Sequence, residues 1–185
     1  FANKEALLLK LTKWMYEKQF AITARLLGEG YEPEMFYAVE PSIQMYIAEK
    51  SEALRELYVS SYSYAATANY IHQMATDKLV ELFGAMHPQY TRQDFYELEL
   101  ATSGMVRSFM ARKCDRNFTM EQKLRRFLSC SMTIYGVAEE KQQQVIDRVL
   151  EMDLKSVADQ LVADAIHQAD EQYQEAERKG KAIEA

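Results

Sequence analysis

The densest run of side chains suited to recognising a small molecule lies between Phe36 and Met74, where Phe36, Tyr37, Met45, Tyr46, Tyr58, Tyr62, Tyr64, Tyr70 and Met74 recur. Tyrosine joins an apolar face to a hydroxyl and methionine adapts to irregular shapes, so the mixture suits a cavity for a mostly hydrophobic or aromatic ligand. It suits an ordinary core as well. Read as a cavity, its lining is expected from Met45, Tyr58, Tyr62, Tyr70 and Met74, with Trp14 reaching in from the first helix and Met105 and Phe109 from a later one. His72, flanked by Ile71 and Gln73, would add a donor or a group titrating near neutrality; the other reading is a structural histidine with its bonds satisfied inside the fold.

Other chemistry lacks its residues. Gly28-Glu29-Gly30 follows a helical stretch rather than a strand and lacks the third glycine of a dinucleotide loop, so it reads as a helix end. There is no GxSxG elbow, Walker lysine or HExxH pair, and His72, His87 and His167 are far apart in sequence. Asp164-Ala-Ile-His167 resembles one carboxylate–histidine pair of a di-iron bundle, but one copy does not build that site. Cys114 and Cys130 have no CxxC spacing and read as free thiols. Asn117-Phe118-Thr119 fits a glycosylation acceptor, yet serves better as the lead into a helix cap. No catalytic set, metal or cofactor is expected.

The elements that must hold these residues are helices. The chain has 185 residues, 48% of them hydrophobic and 27% charged, which is enough for one core. With 6 Gly, 3 Pro and apolar spacings of three and four, the whole reads as all-α. A long first helix carries Leu8, Leu11, Met15, Ile22 and Leu26 from a cap at Asn3 to Gly28 or Gly30. Pro33 opens a second stretch, and Pro41 predicts a bend or restart within it. A break is expected near Ser60–Ser63, and His87-Pro88 ends the next helix. Thr91-Arg-Gln-Asp94 and Thr119-Met-Glu-Gln122 are capping signals for the following two, and Gly136 ends or bends the second. The last region carries Val149, Leu150, Leu154, Val157, Leu161 and Ile166 and turns polar from Glu171. No apolar run approaches the roughly 20 residues that span a bilayer, and a cytoplasmic protein is expected. The net charge of −6 argues against a broad nucleic-acid face on this chain.

The helix from Asp94 to Arg112 carries more apolar surface than one stripe requires, with Ala101, Ser103, Gly104 and Ser108 allowing close approach of another helix. Paired with the helix after Thr119, it is expected to form a two-fold interface through Leu100, Gly104, Met110, Leu124, Phe127, Leu128, Ser131 and Tyr135. The alternative is that both are internal core helices.

Phe1-Ala2-Asn3-Lys4-Glu5-Ala6-Leu7-Leu8 resembles the aromatic-x-Asn-Lys-Glu-x-Leu stretch of the TetR/AcrR family of bacterial transcriptional regulators, at the start of the helix linking DNA-binding and regulatory parts. The resemblance implies a linker helix over 1–30 and a ligand-binding and dimerisation domain over 31–185. It implies a homodimer, a small-molecule effector held between the linker and middle helices, and a DNA operator read through helices preceding Phe1. It also implies that Lys4, with the amides of this helix start, touches a DNA phosphate. The competing reading is a stand-alone helical protein-interaction module whose apolar helix from Asp94 binds a different protein.

Overall fold

A computed structural model describes the backbone of residues 4–183 and the side chains of residues 5–168. Phe1 to Asn3, including the expected cap, and the Lys4 side chain with its expected phosphate contact lie outside the described residues. The described chain is all-α: α1 Lys4–Leu27, α2 Pro33–Lys50, α3 Glu52–Ser61, α4 Ala65–Phe83, α5 Arg92–Ala111, α6 Met120–Ile134, α7 Glu139–Glu151 and α8 Leu154–Ile183. None of the described helices is long and apolar enough to cross a membrane.

Local signals set most of these boundaries. Gly28 takes a φ of 76° just after α1, a left-handed conformation that glycine adopts without a Cβ clash. Thr91 accepts from the Asp94 amide while Asp94 accepts from the Thr91 amide, and Thr119 and Gln122 repeat this reciprocal cap at α6. Gly136, at φ 69°, lies under His87, whose Nε2 donates to the Tyr135 carbonyl at 2.7 Å. The α4–α5 loop is thereby fastened to the end of α6.

Two boundaries depart from expectation. α2 runs through Pro41 as one helix and stops instead at Ser51, whose hydroxyl accepts from the Leu54 amide to cap α3. Pro41 has no N–H for the carbonyl of Tyr37, but the surrounding residues Ala38, Val39, Ser42 and Ile43 are fully buried, so packing on every side holds the helix together. The second departure is a break between α7 and α8, where Asp153 accepts from the Ser156 amide at 3.1 Å. Apolar periodicity continues across that cap and masks it in the sequence.

α2 is the axis of the bundle, touching each of the other seven helices. It buries Met35, Phe36, Val39, Ile43, Met45 and Ile47 against Phe83, Phe95, Met110, Leu124, Phe127, Leu128, Val145 and Val149. α6 is therefore enclosed. Of the eight residues expected at a subunit interface, Met110, Leu124, Phe127, Leu128, Ser131 and Tyr135 are all at most 1% exposed within the single chain. For those six the alternative of an internal core helix describes their place, because α2, α5 and α7 already cover α6. Leu100, at 43%, and Gly104 face outward on α5.

One buried ion pair ties this core together. The Lys123 ammonium, 1% exposed, donates to Glu49 at 2.6 Å and to the Arg112 carbonyl, while the Cys114 amide also donates to Glu49. Burial pushes the Glu49 carboxyl up, but Lys123 and the Cys114 amide outweigh it and hold it below the ordinary range. The end of α2 is thus anchored to the α5–α6 connection.

Candidate functional site

α1, α2, α4, α5 and α6 leave a cavity of about 80 Å³ at their meeting point. α1 contributes Tyr16 and Phe20; α2 contributes Phe36, Tyr37, Glu40, Pro41 and Gln44. Tyr62 enters from the end of α3, Ile71, Lys78 and Leu82 from α4, Glu99, Thr102 and Val106 from α5, and Phe127 and Tyr135 from α6. The rings pack closely, with Tyr37 edge-on to Tyr135 at 5.1 Å and Phe20 tilted against Phe36 at 6.0 Å.

The lining is more polar than an apolar cavity needs. Tyr16 and Tyr62 hydroxyls meet at 3.2 Å, and Thr102 meets the Tyr135 hydroxyl at 2.7 Å. Burial raises the pKa of Tyr16, Tyr37, Tyr62 and Tyr135 above the ordinary phenol value, so these hydroxyls stay protonated and able to donate. Glu99, 3% exposed, pairs with Nδ1 of His72 at 2.6 Å; burial raises its carboxyl and the histidine opposes that.

Glu40 is in a different position. It accepts a hydrogen bond from the amide of Gln44, one turn along α2. Burial pushes its carboxyl up to about 7, with the Gln44 bond acting in the opposite direction. Gln44 is 2% exposed, and its own Oε1 has no partner among the described protein atoms. Lys78 is engaged elsewhere, with Glu81 at 2.6 Å and over the Phe36 and Phe20 rings at 5.0 and 5.6 Å.

Of the nine residues expected to hold a ligand, Tyr62 alone lines this cavity. His72 stands behind its wall as the partner of Glu99, the satisfied structural role. Trp14 and Tyr58 line a separate apolar groove of about 480 Å³, bounded also by Leu11, Met15, Leu54, Leu161 and Ile166. There Gln19 donates to the Tyr58 hydroxyl. Tyr70 donates to the sulfur of Met74 at 2.8 Å, under Lys13 at the α1–α4 surface. Met45 is wholly in the core, Met105 packs at its edge, and Phe109 rests against Phe118 and Phe127.

Sequence reasoning missed Tyr16, Phe20, Glu40, Gln44 and Glu99. A signal for two of them was present. α2 is apolar on nearly all sides, and a carboxylate with an amide four residues on has no polar face to occupy in such a helix.

Among the described residues no group of three or more His, Cys, Asp or Glu side chains could hold a metal ion. The chain matches no family model, and no curated protein or solved structure is found similar to it. What stands is an all-helical bundle, compatible with the TetR/AcrR regulatory domain but not specific to it.

Proposed function

We propose that this chain is the effector-sensing and homodimerising part of a TetR-like transcriptional regulator, whose DNA is read through a segment preceding Phe1. The observation that carries this reading is the cavity itself. Tyr16 and Phe20 on α1, the helix that would lead to the DNA-reading part, form one wall, while α2 and α4 to α6 form the others. An occupant that favours one placement of α1 shifts a two-state equilibrium and so changes the geometry of whatever α1 carries. An occupant that fits one placement of Tyr16 and Phe20 better than another supplies the difference in affinity between states. A homodimer would use the outward face of α5, through Leu100 and Gly104.

The bundle and the comparisons back the broader alternative of a helical interaction module better. The apolar groove between α1 and α8, with Ile166 59% exposed at its edge, is the observation favouring it. Native mass spectrometry of the purified chain separates the two. A dimer carrying a small-molecule adduct supports the sensor, and Leu100→Glu is then expected to give a folded monomer. A bare monomer that acquires no adduct from a metabolite extract favours the interaction module.

A further inference from the structure

Resting on the sensor reading, we infer that the cavity takes a protonated primary amine with an apolar body, its ammonium held between the Glu40 carboxylate and Oε1 of Gln44. Three observations lead there. Gln44 lines the cavity at 2% exposure, and its buried Oε1 has no donor among the described protein atoms. A buried acceptor left this way costs about 1–3 kcal/mol, which a ligand N–H would recover. Glu40 adds a second acceptor one helical turn away, and no described cation contributes to holding it ionised. Pro41, on the same turn, leaves the Tyr37 carbonyl without its usual helical donor. With Glu40 ionised, its carboxylate and Oε1 of Gln44 both accept, so a partner that completes the pair donates.

The rings show that this site tolerates positive charge. Lys78 already lies over Phe20 and Phe36, two of the lining side chains. A ligand's apolar body would follow these rings outward. A quaternary ammonium would enjoy the same faces but offers no N–H to Gln44, and a primary ammonium meets both acceptors with the fewest substituents to bury beside them. The groups facing Glu40 are Tyr16 from α1, Tyr58 and Tyr62 from α3, Lys78 from α4, Glu99 from α5 and Tyr135 from α6. Lys78 is paired with Glu81, Glu99 with His72, and the tyrosines are neutral, which leaves Glu40 as the lining carboxyl with no cationic partner among the described residues.

Isothermal titration calorimetry and thermal shift with butyl-, benzyl- and phenethylammonium, each beside its alcohol, test this directly. At least one ammonium is expected to bind about tenfold more tightly than its alcohol, with tetramethylammonium weaker than both. Glu40→Gln is expected to remove that preference while leaving alcohol binding within about twofold, and Gln44→Met to weaken the ammonium alone. At pH 6 the Glu40 carboxyl carbon, followed by NMR, should move to its ionised position on adding the amine and not the alcohol. Circular dichroism establishes that both variants fold. If alcohols bind as tightly as amines, or the preference survives Glu40→Gln, the amine proposal is overturned and the sensor reading stands. If no probe binds at all, both fall.

Discussion

The two halves of this bundle differ in how completely they are satisfied. Every buried side-chain polar atom without a partner among the described residues lies between residues 14 and 67: Trp14 Nε1, Gln19 Oε1, Thr23 Oγ1, Gln44 Oε1, Arg55 Nε and Thr67 Oγ1. The later helices have paired caps at Thr91 and Thr119, and a buried Gln142 bonded to Val137, Thr133 and Ser129. The α1–α3 seam is built from hydroxyls, such as Thr12 against Ser61 and Tyr16 against Tyr62. The α5–α7 core is built from Met110, Phe127, Leu128 and Val145. A dry, interlocked core has one good arrangement, whereas a seam of loosely matched polar groups has several of similar energy. A conformational response is therefore stored more readily in α1 and its contacts than in the later half.

The largest effect is expected at the anchor of the fixed half. Lys123→Met leaves Glu49 without its ammonium in a largely buried position and should cost about 3–5 kcal/mol, read by urea denaturation. Replacing Glu49 with Gln in the same chain should recover part of that loss, since the carboxylate is gone while Arg55, 3.8 Å from it, loses its partner. A single-variant loss below about 1 kcal/mol would erase the contrast between the halves.

How much of this was legible depends on the range of each signal. The caps at Thr91 and Thr119 and the turn at Gly136 act within four residues, and the sequence displays them. Pro41 misleads because its local cost is outweighed by packing contributed from distant helices. The site suffers more. Tyr62 fits the aromatic pattern, but Tyr16 and Phe20 belong to the opposite side of α1 from Trp14, and only the placement of α3 and α8 decides which side meets the cavity. His72 looks isolated because its partner, Glu99, is 27 positions away. Glu99, on a helix with an exposed polar face, carries no such sign of burial as Glu40 does on α2.

A second, smaller effect distinguishes the halves by pH. The folded-state pKa of Glu40 is raised to about 7 from an ordinary 4.5, so the unfolded chain gives up this proton first. Stability contributed by the protonated form is present below about pH 4.5 and is lost as pH rises to 7. Glu99, also raised, acts in the same direction. The depressed carboxyl of Glu49, on the anchored side, acts oppositely and is lost only as the solution becomes acidic. Denaturation at pH 5 and pH 8 should therefore give Glu40→Gln a gain of about 1–3 kcal/mol over wild type at the higher pH and little at the lower. An equal difference at both would mean that Glu40 does not titrate in this window.

The smallest effect probes the seam itself. Thr23 is fully buried on α1, and its hydroxyl finds no partner among the described atoms, so the folded state carries a polar group that water solvates better. Thr23→Val keeps the branched shape and removes that hydroxyl. It should be neutral or stabilising by up to about 1 kcal/mol, because the usual penalty for losing a hydrogen bond does not arise where none is made. The more informative readout is hydrogen exchange along α1. If the unmatched hydroxyl helps keep α1 movable, amides from Thr12 to Ala24 should exchange more slowly in the variant while those of α6 stay as they were. Destabilisation by more than about 1 kcal/mol would show that Thr23 has a bonding partner in solution. The seam would then be as well satisfied at that point as the core it is contrasted with.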